Sequence, residues 1–277
     1  MGAHVDAAAP IGVFDSGLGG LTVAHAIRLR LPGERLVYLG DTARVPYGTR
    51  SPKTVLAYAR SCAKKLREHD IKLLVVACNT VSAVALDMLA IELDIPVLGV
   101  IQPGARAGVA RSQNGRIGVI ATAGTVDSGA YPRAVSQVNS RAETFAAAAP
   151  LLVPLAEEGW LDGDVPAQVA RRYLTPLVSA GIDTLVLGCT HYPLLKGVIT
   201  AELAALAGRT LPVVDSAEAT ADELSDVLDA RGLAAPPDAP GDRLRLLVTD
   251  LPKRFSEVAG RFLGEDASTL SVEAVDL

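Results

Sequence analysis

The 277-residue chain holds three cysteines, an odd number, and no C-x-x-C pair. That count and spacing argue against a disulfide framework and against a structural zinc site, so reduced thiols and no bound metal are expected. Basic residues are outnumbered, 26 against 31 acidic, for a formal charge of −5. A surface of that sign does not favour phosphate backbones, which removes the electrostatic footprint of a dedicated nucleic-acid binder. No stretch approaches the roughly 18 uninterrupted apolar residues of a membrane helix. Met1 to Pro10 lacks the basic and apolar regions of a secretory signal, and a cytoplasmic location is expected. What the chain does have is an ordinary globular balance, 49% hydrophobic and 21% charged, enough for one large or two small α/β domains.

Short apolar runs alternate with helical patterns. Strands are expected at Ile11–Phe14, Arg35–Leu39, Leu73–Ala77 and Pro96–Val100, and helices near residues 21–31, 52–69 and 81–93. Ser51-Pro52 is a helix-start signal. Residues 234–242 are a loop by composition, and residues 243–249, 252–263 and 270–275 read as strand, helix and strand. Such alternation builds βαβ units and a mainly parallel sheet.

The chain also repeats itself. Ile71 to Thr80 lies over Ile182 to His191 at an offset of 111, and Ile117-Gly118-Val119-Ile120 echoes Ile11-Gly12-Val13-Phe14 at an offset of 106. Pro212-Val213-Val214 echoes Pro96-Val97-Leu98. This period is far too long for a solenoid, so the pattern is domain duplication. The expected architecture is α/β, two pseudo-symmetric domains with mainly parallel sheets facing each other across a cleft. Residues 11–99 and 213–277 would form the first domain and 100–212 the second. Ligands of open α/β sheets bind beyond the carboxyl ends of the strands, and Cys78 and Cys189 both sit at such ends.

Several constellations could carry chemistry there. Asp15-Ser16-Gly17-Leu18-Gly19-Gly20 is a glycine-rich strand-to-helix turn whose N–H groups could seat a carboxylate or phosphate. Its G-x-G-G spacing is not that of a dinucleotide fold, and it lacks the lysine of a P-loop. Asp15 could anchor an ammonium group or cap the following helix. Cys78-Asn79-Thr80 and Cys189-Thr190-His191 place thiols beside amide, hydroxyl and imidazole donors at helix starts, where a cysteine pKa is expected to fall from about 8.5 toward neutrality. His191 could hold or shuttle a proton near Cys189. Cys62, in a helical pattern, reads as a small buried hydrophobe. A Cys–His hydrolase would leave one of the paired thiols unexplained, and a dithiol oxidoreductase would hold its cysteines closer in sequence. Racemisation uses both, one removing a proton from a carbon and the other delivering one to the opposite face.

At these residues the chain resembles the cofactor-independent glutamate racemases and, more broadly, the aspartate/glutamate racemase superfamily. The motifs are Asp15 to Leu21, Gly40-Asp41 with Val45-Pro46-Tyr47-Gly48, Ala77-Cys78-Asn79-Thr80, and Gly188-Cys189-Thr190-His191-Tyr192-Pro193-Leu194. The resemblance implies interconversion of L- and D-glutamate without a cofactor, supplying D-glutamate for peptidoglycan, by an enzyme that is a homodimer. It makes Cys78 and Cys189 the acid/base thiols, with Asp15 assisting the first and Glu157 and His191 the second. Substrate contacts would come from Asp15, Ser16, Pro46, Tyr47, Gly48, Asn79, Thr80, Thr122, Thr190 and His191. Many members carry a cysteine where this chain has Ala149, outside the acid/base pair. A racemase of aspartate or another acidic amino acid is the close alternative. Restraint of DNA gyrase, seen in some members, is a minor one of another class. The first ten residues and the tail beyond about Ala234 match nothing usable.

Overall fold

The computed structural model describes residues 6–236 and 243–277. Ten strands are found among them, β1 (Ile11–Asp15), β2 (Leu36–Gly40), β3 (Leu73–Val76), β4 (Val97–Gly99), β5 (Arg116–Ala121), β6 (Glu143–Ala148), β7 (Thr184–Gly188), β8 (Val213–Asp215), β9 (Leu244–Val248) and β10 (Val272–Ala274). They form two wholly parallel sheets, ordered β10-β9-β2-β1-β3-β4 and β6-β5-β7-β8. The duplication is visible as one shared order: β2-β1-β3-β4 corresponds to β6-β5-β7-β8. Every residue of β1, β2, β3 and β7 is buried. Helices cover both faces of such sheets, which is why these strands are mostly apolar throughout rather than alternating.

Three expectations change in detail. The strand beginning at Val213 pairs with β7, so it extends the second sheet and the boundary drawn at 213 falls too early. The return to the first sheet is made instead by the helix Ser216–Arg231, which starts where the Asp215 carboxylate accepts the Ala217 N–H at 2.8 Å and packs along the helix Leu21–Arg30. The helix expected over 81–93 is two helices, Asn79–Val84 and Leu86–Glu92. Ala85 leaves helical geometry (φ −125°, ψ −11°) and turns Leu86 onto Gly99, where a β-carbon would lie 2.6 Å from the Leu86 side chain. The helix expected over 52–69 ends at Arg67, while Ser51 caps it as read, accepting the Thr54 N–H at 3.3 Å. The tail joins the first sheet: β9 pairs with β2, and the helix Pro252–Leu263 buries Phe255, Ala259, Phe262 and Leu263 in the same core as β1 and β2. Of the loop read at 234–242, residues 237–242 lie outside the described residues. No helix among the described residues is long and apolar enough to cross a membrane.

At the amino ends of the strands, away from the thiols, Lys72 is wholly buried and pairs with Glu34 at 2.6 Å. Its ammonium also donates to the carbonyls of Ala7 and Leu233, and Glu34 accepts the Ala235 N–H, so one buried pair ties down both the N-terminal stretch and residues 233–235. Removing one partner strands the other charge in the core. Lys72→Ala should therefore cost about 3–5 kcal/mol in urea unfolding, and Lys72→Met with Glu34→Leu distinctly less. An unchanged unfolding midpoint for the single variant would show that the pair contributes nothing.

Candidate active site

The carboxyl ends of both sheets converge on a cavity of about 310 Å³. The first half contributes Ser16, the stretch Val45 to Thr49, and Cys78 to Thr80; the second contributes Thr122, Ala123, Pro150, Val153, Pro154, Glu157, and Cys189 to His191. Of the residues expected in the site, Asp15 alone does not line it. A larger cavity of about 640 Å³ lies behind the Pro193-Leu194 turn but holds neither thiol. The halves meet closely: a β-carbon on Gly19 would lie 2.3 Å from Thr190 Oγ1 and 2.5 Å from His191 Nδ1, a gap that only glycine leaves open. Beside it the Thr22 hydroxyl donates to the Thr190 carbonyl at 2.8 Å.

Cys78 ends the β3 segment and caps the helix Asn79–Val84, with its thiol 3.4 Å from Ser16 Oγ. Asp15 sits behind it at the end of β1, 1% exposed, its Oδ2 accepting the Gly17 N–H at 2.9 Å. It is not a helix cap; Gly20 holds that position before Leu21. Burial raises the Asp15 pKa, against lowering by His191 and by the N–H groups of Gly20, Gly17 and Ser16. Burial likewise pushes the Cys78 thiol up to about 12, with the Asp15 charge adding to it and the Ser16 hydroxyl and Val81 N–H opposing. The expectation that the helix start would lower this thiol toward neutrality is corrected. A six-residue helix offers too little to outweigh desolvation and a neighbouring carboxylate.

The other thiol has a different setting. Cys189 Sγ lies 3.7 Å from His191 Nδ1, and His191 Nε2 lies 2.9 Å from Glu157 Oε1, giving a continuous chain from sulfur to imidazole to carboxylate. Burial by itself would lower the imidazole pKa; the bonds to Cys189 and Glu157 reverse this and hold it up at about 10. Glu157 comes from the helix Leu152–Glu158.

The remaining lining groups are neutral, and among the described residues no lysine or arginine lines the cavity. Asn79 Oδ1 accepts the Tyr131 hydroxyl at 2.9 Å, while its buried Nδ2 has no hydrogen-bond partner among the described residues. Thr80 and Thr122 join hydroxyls across the two halves at 3.2 Å, with Thr125 behind them. Tyr47 lines the cavity, but its hydroxyl is bonded to the buried Asp41 carboxylate, so only its ring and backbone face the interior. Asp41 also takes Arg44 Nε at 2.7 Å and the Thr249 hydroxyl at 2.9 Å, pinning the whole 42–49 loop; the Gly40-Asp41 motif signalled it without disclosing that role. Ala149 is fully buried and its carbonyl accepts the Tyr192 hydroxyl, so the departure there leaves the cavity wall untouched. No group of three or more His, Cys, Asp or Glu among the described residues is placed to hold a metal ion.

The profile of the Asp/Glu/hydantoin racemase family matches residues 21–224. The chain belongs to this family. A glutamate racemase from Geobacter metallireducens is 51% identical over 267 residues, 95% of this chain and 97% of that protein. The structure of glutamate racemase isoform RacE1 from Bacillus anthracis superimposes with a TM-score of 0.90 at 41% identity, covering 97% of this chain and 98% of that one. That of the Francisella tularensis glutamate racemase in complex with D-glutamate gives 0.87 at 35% identity, covering 98% of each chain. Family membership agrees with the two-sheet architecture and with a cavity shared between the sheets.

For this racemase-family site, the raised His191 pKa has a thermodynamic consequence. A group bound more tightly to its proton in the folded state stabilises the fold fully below its unfolded pKa, near 6.5, and loses that contribution as pH rises toward about 10. In NMR titrations the His191 imidazole should therefore titrate far above an ordinary histidine, and Glu157→Gln should bring it down. Titration near 6.5 in both proteins would show that the chain to Glu157 does not hold the proton.

Proposed function

We propose that this protein is a glutamate racemase that interconverts L- and D-glutamate with Cys78 and Cys189 as alternating acid and base. The observation that carries the reading is the presence of two buried thiols, one from the end of each duplicated sheet, on the walls of one small cavity. The similarity to glutamate racemases over nearly the whole chain names the substrate.

In the forward direction one thiolate takes the α-proton, so an S–H bond forms as the C–H bond breaks and its electron pair moves into the α-carboxylate. The opposite thiol then gives its proton to the other face of the carbon and is left as thiolate; the reverse reaction exchanges the roles. Negative charge builds on the carboxylate during this step, and preorganised donors aimed at it lower the barrier. Asn79 Nδ2, with no hydrogen-bond partner among the described residues, and the hydroxyls of Thr80, Thr122 and Thr190 are the neutral donors available, with Ser16, Pro46, Tyr47 and Gly48 shaping the wall. The two thiols are served differently. His191, oriented by Glu157, holds a positive charge beside Cys189 and stabilises its thiolate. Burial keeps the Cys78 thiol protonated, and the charge of Asp15 behind it adds to that effect. Asp15 does not reach the cavity wall, so its role in this scheme is electrostatic rather than direct contact with the ammonium group. The resting protein then has Cys78 ready as proton donor.

A supply of D-glutamate for peptidoglycan, a cytoplasmic location and a homodimer complete the reading. A role at DNA gyrase rests on resemblance alone and forms no part of it. The test is incubation with L-glutamate in D₂O without added cofactor, following optical rotation and deuterium at the α-carbon. Rotation should decay as deuterium enters, and Cys78→Ser and Cys189→Ser should each lower kcat by about 10²–10⁴-fold, the usual worth of a general acid or base. Either variant racemising at near wild-type rate would end the two-thiol scheme. Faster turnover of L-aspartate than of L-glutamate would keep the scheme and change the substrate.

A further inference from the structure

The Cys189 side of the site is held in part from the other half of the molecule. The helix Pro252–Leu263 is rooted in the first sheet's core through Phe255, Ala259, Phe262 and Leu263. Its last turn reaches the second half at two adjacent residues. Arg261 lays its guanidinium over the end of the helix Leu152–Glu158, where Nη1 donates to the Glu157 carbonyl at 2.5 Å and to that of Ala156 at 3.4 Å. The fit is close: a β-carbon on Gly159, which ends that helix at φ +78°, would lie 2.8 Å from Arg261 Cζ. A cation at a helix carboxyl terminus satisfies carbonyls that have no intrahelical partner and is favoured by the helix dipole. The next residue, Phe262, stands edge-on to the His191 ring, with centroids 5.6 Å apart and planes at 90°.

Arg261 thus fixes the backbone that carries Glu157, Phe262 fixes the ring that accepts from or donates to it, and the two side chains so fixed are hydrogen-bonded to each other at 2.9 Å. We infer that Arg261 and Phe262 are positioning residues that complete the Glu157–His191 pair across the two halves, so that the Cys189 side is competent only while the C-terminal helix is docked. The inference rests on the two-thiol reading above. It gives a function to the segment beyond Ala234. It also makes the two half-sites unequal, since no equivalent contact to Cys78 is found from this helix among the described residues.

Substrate isotope effects separate this from a merely structural role. When a contact on one side is weakened, both proton transfers at that thiol slow. With the enantiomer whose α-hydrogen goes to Cys189, removal becomes more rate-limiting and the isotope effect rises; with the other enantiomer the slow step becomes delivery of a solvent proton and the effect falls. The experiment uses the full-length protein with α-deuterated L- and D-glutamate, comparing wild type, Glu157→Gln, Arg261→Ala, Arg261→Lys and Phe262→Leu. Arg261→Ala should lose about fivefold in kcat, a fraction of the roughly 10²–10⁴-fold supplied by general acid–base assistance. Its two isotope effects should diverge in the same sense as those of Glu157→Gln, and Arg261→Lys, which can still donate to the carbonyls, should restore both. If Arg261→Ala does not fold, Phe262→Leu carries the same comparison with apolar bulk retained. Isotope effects that stay at wild-type values, or a fully active Arg261→Ala, overturn the inference. A wild-type enzyme with no isotope effect for either enantiomer overturns the two-thiol reading itself.

Discussion

A parallel strand buried on both faces can present chemistry only at its ends. That constraint governs this molecule, because β1, β3 and β7 are wholly enclosed and mostly apolar, and the groups that face the cavity appear where the strands stop. Ser16 and Cys78 emerge from one sheet and Cys189 from the other; each is followed by a turn or short helix that cannot re-enter the sheet. Once the unit is duplicated, two such ends can share one cavity, and small residues decide how closely they approach. Gly19 is the clearest instance, since any side chain there would collide with Thr190 and His191.

Duplication supplies geometry, and divergence supplies difference. The two thiols occupy equivalent strand ends, yet Cys78 has a buried carboxylate behind it while Cys189 has an imidazole held by Glu157. Burial, with that carboxylate adding to it, holds Cys78 neutral, whereas Cys189 has a hydrogen-bonded imidazole beside it. The surroundings of the two thiols are therefore unequal although the strand ends that carry them are equivalent. Such thiols interact, and their titration belongs to the pair.

The features legible in the sequence were those with a local cause. Strand positions followed from short aliphatic runs, the Ser51 cap from the Ser-Pro step, and the paired thiols from an internal repeat that needs no outside reference. Every residue expected in the site except Asp15 lines the cavity, most of them because their motifs sit at strand ends, whereas Thr49, Ala123, Pro150, Val153 and Pro154 line it without any sequence signal. What could not be read depends on contacts distant in the chain. The break at Ala85 follows from Leu86 meeting Gly99, the placement of Val213–Asp215 follows from pairing with β7, and the Tyr47 hydroxyl is turned away by Asp41. The rise in the Cys78 pKa was missed for a related reason: a helix start is visible in sequence, whereas the depth of burial that outweighs it is not. Arg261 and Phe262 lay in a tail whose composition carried no motif, and only the docked helix discloses what they touch.

The absence of lysine and arginine from the cavity wall fits the chemistry better than its opposite would. A fixed cation would hold a dicarboxylate substrate more tightly, but it would also stabilise nearby thiolates and lower their pKa. A thiolate of low pKa is a weak base, and an α-hydrogen of an amino acid is a very weak acid, so tight ground-state binding of that kind would cost proton-transfer rate. Neutral amide and hydroxyl donors hold carboxylates without weakening the base. Burial acts in the same direction, raising Cys78 to about 12 so that its thiolate, once formed, is strongly basic. On the other side of the cavity the cationic group is His191, held beside Cys189 by Glu157.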